Sequence, residues 1–264
     1  MGLFLGVLFF FIISSATACD RCVRQSKAAY YYDDTLSIHQ GACGYGSLAL
    51  ELSNGYVASA VSTLYKEGAG CGACFQVRCK DRRLCTTAGT KVVVTDQTSN
   101  NKHDFILSKK AYSAMALQNK RKELLNLRLV DVEYKRIPCT YRNKNLSVRV
   151  EEWSQKPNYL AIKFLYQGGQ TEIKAVEIAE VGSSNWEPMQ RNYGAIWHTT
   201  KVIEGGFQLM IMVASGYNNE NTYFTNYELP NDWKNGEIYD TGIQFDDIAK
   251  EICLPNKCGD RPWK

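Results

Sequence analysis

After its first thirteen residues, this 264-residue chain has no apolar run long enough to cross a bilayer, which excludes a helical membrane protein. The one long block, Leu3–Ile13 broken by Gly6, is itself too short to span. It is followed by Ser14, Ser15 and the small-residue triplet Ala16-Thr17-Ala18. This pattern reads as a signal peptide over residues 1–18, so the rest of the chain is expected outside the cell, with no membrane contact after cleavage. Histidine is scarce: His39, His103 and His198 are the full set, and none sits at finger spacing from a cysteine pair. No Ser/His/Asp or Cys/His constellation can be assembled, and no metal or cofactor is expected. Excess charge of one sign is missing as well. Thirty-one Lys and Arg face 27 Asp and Glu, a net charge of +4. Without a concentrated basic stripe, nucleic acid is excluded as a partner, and only a loose, salt-sensitive pull toward acidic polymers remains. Repeats, low-complexity tracts and coiled-coil heptads are absent.

Cysteine, by contrast, is plentiful. All ten lie beyond the expected cleavage point. An even number in an oxidising compartment reads as a disulfide framework. Cys19-x-x-Cys22 and Cys71-x-x-Cys74 have zinc-like spacing, but the missing histidines and the lack of a strand–helix redox context favour disulfides. Eight cysteines fall between Cys19 and Cys139, two in the tail at Cys253 and Cys258, and none between. The middle of the chain must therefore fold on its hydrophobic core alone. That change predicts a stapled domain over 19–139, a polar linker over 140–145, a second domain over 146–249 and a cysteine-bearing tail over 250–264.

Short β-type runs separated by glycine clusters fill the first half, among them Val57–Val61, Phe75–Arg78, Lys91–Thr95 and Leu129–Tyr134. One segment, Ser108–Leu125, reads as a helix with Ser108 as N-cap and Ala111, Met115 and Leu124 toward the core. In the second half Leu146, Val148 and Val150 alternate with Ser147, Arg149 and Glu151, the period of a half-buried strand. Runs at 159–166, 173–181, 207–214, 222–229 and 238–245 repeat the pattern. The fold class is all-β: a compact barrel, then a sandwich.

Gly41-Ala42-Cys43-Gly44-Tyr45-Gly46, the run Gly70–Cys79 and Val93-Val94-Thr95-Asp96 resemble, in order, the first domain of expansins. The segment Trp186–Trp197 is similar to that family's carbohydrate-binding module. Cys19-Asp20-Arg21-Cys22 and the cysteine-bearing tail most resemble the expansin-like A subgroup. The resemblance implies a six-stranded double-psi β-barrel followed by an immunoglobulin-like β-sandwich. It also implies disulfides Cys43–Cys71, Cys74–Cys139 and Cys79–Cys85. Cys19, Cys22, Cys253 and Cys258 have no counterpart in ordinary expansins, and their three possible pairings stay open.

Tyr159 and Tyr193 fall where the family's sugar-stacking aromatics lie. An exposed tyrosine on a flat sheet covers the C–H face of a pyranose, worth roughly 1–2 kcal/mol per ring. Trp186 and Trp197 read first as core, although Trp197 is retained as a possible polysaccharide contact, with His198 at its edge. Tyr30, Tyr31, Tyr45, Asp96 and Asp104 are the expected groove contacts of the barrel. The barrel also resembles that of family-45 endoglucanases, whose chemistry needs two carboxylates across the bond. Here Asp104-Phe105-Ile106-Leu107-Ser108 places Ile106 where the family carries its acidic residue, and Ala29 replaces a threonine of the groove. Asp33 and Asp34 read as solvated. Asn145-Leu146-Ser147 is a weak glycosylation sequon at the edge of a strand. The expected function is a secreted, monomeric wall protein that holds cellulose, xyloglucan or another wall polysaccharide and loosens non-covalent contacts without hydrolysis. Two rivals stand beside it: binding without loosening, and a weak glucanase or transglycosylase using Asp96 with Asp104.

Overall fold

The computed structural model describes residues 17–31, 41–99, 102–201, 205–259 and 263. Most of the expected signal peptide, together with Asp33, Asp34 and His39, lies outside them. Among the described residues no helix is long and apolar enough to cross a membrane.

Strand β1 (Thr17–Cys19) precedes six strands that close on themselves: β2 (Arg24–Tyr30), β3 (Val57–Val61), β4 (Cys74–Cys79), β5 (Thr90–Thr98), β6 (Phe105–Leu107) and β7 (Leu129–Ile137). Their order around the barrel is β2-β6-β3-β5-β4-β7, with β2/β6 and β3/β5 parallel. Alternation decides what fills it. Ala28, Ala58, Ala60, Phe75, Val77, Val92, Val94, Phe105 and Leu107 point inward and are buried together. Ala111, Met115 and Leu124 are fully buried against this core, and Ser108 caps its helix by accepting from the Ala111 amide at 3.1 Å. The expected single helix is two, Lys109–Ala114 and Arg121–Leu127. Between them the chain leaves the helix to form a bridge between Cys85 and Ala116, and the Leu117 amide donates to the Leu84 carbonyl.

The second half builds two sheets. One holds β12 (Gln190–Tyr193), β13 (Ile196–Thr199), β9 (Leu160–Leu165), β8 (Ser147–Val150) and β16 (Ile238–Asp240), in that order. The other holds β11 (Glu187–Pro188), β10 (Ile173–Glu180), β14 (Phe207–Ser215) and β15 (Asn219–Phe224). Leu146, Val148, Val150, Ile162, Phe164, Ile178, Leu209 and Ile211 meet between them as one buried core. The run expected at 222–229 forms earlier, as β15, because Asn219–Phe224 pairs residue by residue with Met210–Ser215. β16 stops at Asp240 because the backbone turns through Gly242 at positive φ.

All ten cysteines are bonded. Cys43–Cys71, Cys74–Cys139 and Cys79–Cys85 staple the barrel, and Cys19–Cys258 and Cys22–Cys253 resolve the open pairing. The last two carry the tail back from the sandwich to the barrel, where β17 (Glu251–Cys253) pairs with β1. The Lys135 ammonium donates to the Gly259 carbonyl, and the Arg78 guanidinium stacks on the Trp263 ring at 4.0 Å.

The start of the segment expected as a polar linker packs against the sandwich. Cys139 exchanges two backbone hydrogen bonds with Gly169, and the Tyr141 ring meets Tyr166 edge-on at 5.5 Å. At the same junction Gly194 lies against the Cys43 backbone and Gly68. A Cβ at Gly194 would fall 2.5 Å from the Cys43 Cα, and one at Gly68 2.7 Å from the Gly194 carbonyl. Both glycines have positive φ, so two reasons forbid a side chain there.

One carboxylate fixes the two halves. Glu172, 7 % exposed, sits just before β10 and takes Lys66 Nζ at 2.5 Å, Arg136 Nη1 at 2.8 Å and Lys174 Nζ at 3.2 Å. Lys66 and Arg136 come from the barrel half, Glu172 and Lys174 from the sandwich. Burial alone would raise the Glu172 carboxyl, but Arg136 and Lys66, with Lys174, outweigh it and hold the pKa down at about 2. A depressed carboxyl stabilises the fold fully above the unfolded value near 4.5 and loses that contribution as pH falls toward 2. Thermal or urea unfolding between pH 5 and pH 2 should show an acid-dependent loss of about 3 kcal/mol. Glu172→Gln should be destabilised at pH 7 and lack that increment.

Candidate polysaccharide-binding surface

On the outside of the barrel, register places four residues side by side across four strands. Ala29 of β2 pairs with Ile106 of β6, Ile106 with Ser59 of β3, and Ser59 with Asp96 of β5. Small Ala58 and Ala60 pack inward, so Ser59 between them turns toward this row, where it is 1 % exposed and engaged by Tyr31 and Asp96. Asp96 is fixed there by three donors. Its Oδ1 accepts from the Ala42 amide at 2.6 Å and the Gln97 amide at 2.8 Å, and its Oδ2 accepts from Ser59 Oγ at 2.8 Å. The Tyr31 hydroxyl contacts Ser59 Oγ, extending the chain Tyr31–Ser59–Asp96. Burial and then the nearby Asp96 charge push the Tyr31 phenol well up, so it stays a donor at ordinary pH.

Other expected groove residues lie elsewhere. Tyr30 shares parity with buried Ala28, not with Ala29 and Tyr31. Its ring packs on Tyr112 at 4.8 Å and its hydroxyl donates to the Leu125 carbonyl, making it part of the barrel core. Tyr45 is 4 % exposed, enclosed with Cys43, Cys71, Leu165 and Ala195 where the domains meet, and presents no face to a ligand. Asp104 precedes β6, two residues from Ile106 and outside the row. Its Oδ2 accepts from the Tyr134 hydroxyl at 2.6 Å, so it caps a core tyrosine.

On the five-stranded sheet, the outward residues of β13 are Ile196 and His198, while Trp197 and Thr199 turn inward. Trp197 is 4 % exposed in the sandwich core, with the Arg191 guanidinium over its ring at 4.4 Å, so the core reading holds and the contact reading fails. Trp186 departs the other way. It is half-buried and meets Phe224 edge-on at 5.6 Å at the rim of the opposite sheet. Tyr159 packs against His198 with ring centroids 5.5 Å apart. Tyr193 pairs with Ile196, sits on the same outer face and is 42 % exposed. A Cβ placed on Gly44 would lie 3.0 Å from Tyr193 Cε2, so this ring abuts the barrel next to the loop whose Ala42 amide holds Asp96. The two clusters are thus neighbours across the domain junction.

Sequence reading missed Ser59, the Ala42 amide and Trp153. Alternation within Val57–Val61 could have found Ser59. Trp153 stands exposed in the loop from β8 to β9, which also leads into Tyr159.

Two family models match these halves: the lytic transglycolase model over residues 57–134, which covers barrel strands, and the expansin C-terminal domain over 146–226. Such a double-psi barrel joined to an expansin C-terminal sandwich, matched end to end by curated expansin-like relatives, places the chain in the expansin family. Expansin-like A1 of Arabidopsis thaliana is 50 % identical over 264 residues, 99 % of this chain and 98 % of that protein. Expansin-like A3 of the same plant is 49 % identical over 97 % of each, and Expansin-like A3 of Oryza sativa subsp. japonica 44 % over 94 % and 91 %. The fold is also that of the apo expansin of Clavibacter michiganensis, at TM-score 0.61 and 21 % identity, covering 84 % of this chain and 97 % of that one. A mutant of that bacterial protein crystallised with cellohexaose aligns at TM-score 0.62 and 20 % identity, with the same coverage.

Asp96→Ala should strand the Ala42 and Gln97 amides and cost about 1–3 kcal/mol in urea denaturation. Asp96→Asn keeps an acceptor for both amides and lets Ser59 reverse its role, so its cost should be smaller.

Proposed function

We propose that this chain is a secreted plant wall protein that binds cellulose or hemicellulose across both domains and loosens their non-covalent contacts without cutting them. One observation carries the reading: Tyr159, His198 and Tyr193 share an outer sheet face that runs, through the contact at Gly44, into the Tyr31–Ser59–Asp96 row. A flat aromatic strip followed by a row of hydroxyl and carboxylate groups suits an extended glucan better than a single sugar. Rings cover the apolar faces of the pyranoses, while Asp96 and Tyr31 compete for hydroxyls that otherwise bond a neighbouring chain. The expansin family and the bacterial relative crystallised with cellohexaose support this substrate class.

Hydrolysis fits the row poorly. Glycoside cleavage needs a second carboxyl group across the bond to donate a proton. Within the row, Asp96 faces alanine and isoleucine beyond Ser59, and Asp104 is engaged by Tyr134. Both oxygens of Asp96 are already taken by the Ala42 amide, the Gln97 amide and Ser59 Oγ. The protein is taken as a monomer needing no cofactor or metal.

Tyr159→Ala with Tyr193→Ala should cut retention on cellulose by roughly a hundredfold, following about 1–2 kcal/mol per ring. Undiminished retention would remove the strip from the binding surface. In a second test, the purified chain should extend heat-inactivated walls under load while releasing no reducing ends from soluble glucan. Reducing ends lost on Asp96→Asn would establish the glucanase reading instead, and binding without extension would leave a simple adhesion protein.

A further inference from the structure

Away from the aromatic strip, a cavity of about 410 Å³ opens where barrel, sandwich and tail meet. Lys66 and Arg136 of the barrel, Lys174 of the sandwich and Lys250 of the tail line it, and Glu172 lies among them. Three of these cations converge on the single Glu172 carboxylate. Over the whole lining, Lys66, Arg136, Lys174 and Lys250 carry four positive charges against three on Glu172, Glu220 and Glu251, an excess of one. Glu251 is engaged by Arg24 at 3.3 Å, and Lys250 by Asp20 at 3.6 Å, which leaves Glu220 as the remaining anion among the lining groups. The persistence of the Glu172 charge down to about pH 2 fits a positive local potential.

Arg136 is the buried anchor of the cluster. Its side chain is 7 % exposed; Nη1 donates to Glu172 and Nη2 to the Thr171 carbonyl at 2.7 Å, while the buried Nε has no acceptor. That N–H is enclosed rather than open to the cavity, so the groups that a ligand can reach are the ammoniums of Lys66 and Lys174, 44 % and 42 % exposed. Lys66 reaches the cluster from a left-handed backbone position, φ 51°, followed by Glu67 at φ 53°. Non-glycine residues adopt that region only when the surrounding structure enforces it.

We propose that this junction cavity is an oxyanion site that takes the carboxylate of a uronic acid residue in an acidic polysaccharide. A small inorganic anion would leave most of the volume empty, whereas a sugar ring carrying a carboxylate falls within the size range of small-ligand pockets. Ser215, Asn218 and Asn219 on the sandwich wall offer neutral groups for the ring hydroxyls. The site rests on the polysaccharide reading above for its ligand class but uses none of the aromatic strip. It would let one molecule hold a neutral glucan and an acidic chain at once.

The test is calorimetric titration of the full mature chain at low salt with oligogalacturonate, cellohexaose and inorganic phosphate. Oligogalacturonate should bind, and Lys174→Gln should weaken it about tenfold while Lys174→Arg does not. Lys174 is 42 % exposed and Arg136 and Lys66 remain on Glu172, so Lys174→Gln should stay folded with only a small fall in melting temperature, checked alongside each titration. The Tyr159→Ala, Tyr193→Ala protein should bind oligogalacturonate normally and lose cellohexaose. No binding of oligogalacturonate, equal binding by Lys174→Gln, or its loss in the tyrosine double variant would overturn the site. Phosphate binding as tightly as oligogalacturonate would overturn the uronate assignment. Failure of cellohexaose alone would count against the aromatic strip and leave this site standing.

Discussion

The geometry of the whole surface depends on one buried carboxylate shared by two domains. Glu172 belongs to the sandwich, yet two of its three cationic partners come from the barrel. An isolated charge at that burial would be expensive, and so would buried Arg136 without it. The cluster therefore favours one docking arrangement: sliding the domains apart would leave charge of one sign uncompensated. Around it the contact is close packing of backbone on backbone, Gly194 against Cys43 and Gly68. Charge sets the register of the joint, and the missing side chains set its closeness.

That joint is what brings Tyr193 next to the barrel. Aromatic strip and hydroxyl row lie in different domains, and neither is large. The contact at Gly44 holds them side by side. Tyr45 and Tyr65 are spent on the joint itself: Tyr45 is enclosed by it, and the Tyr65 hydroxyl donates to the Ala42 carbonyl at 3.1 Å, steadying the loop whose amide holds Asp96.

Much of the fold was legible because period-two alternation is local. Leu146, Val148 and Val150 were placed on one face by spacing alone, as were Ala111, Met115 and Leu124 on the helices. The site was legible only in part. Adjacent Tyr30 and Tyr31 must point to opposite faces, but the sequence does not say which faces the core. Tyr45 and Trp197 carry the family pattern, and only domain docking and sheet packing decide that both are buried. Asp104 looked like a displaced acid because the Tyr134 hydroxyl that claims it is thirty residues away. The Glu172 cluster was beyond reach for the same reason, since Lys66 is 106 residues from it and Arg136 is 36.

The two bridges at the chain ends have a mechanical meaning. Barrel and sandwich are joined by the 138–146 segment and, independently, by the tail bonded through Cys253 and Cys258 to Cys22 and Cys19. A load that pulls one domain from the other is divided between two covalent routes in parallel. Neither domain can be peeled away by stretching a single tether.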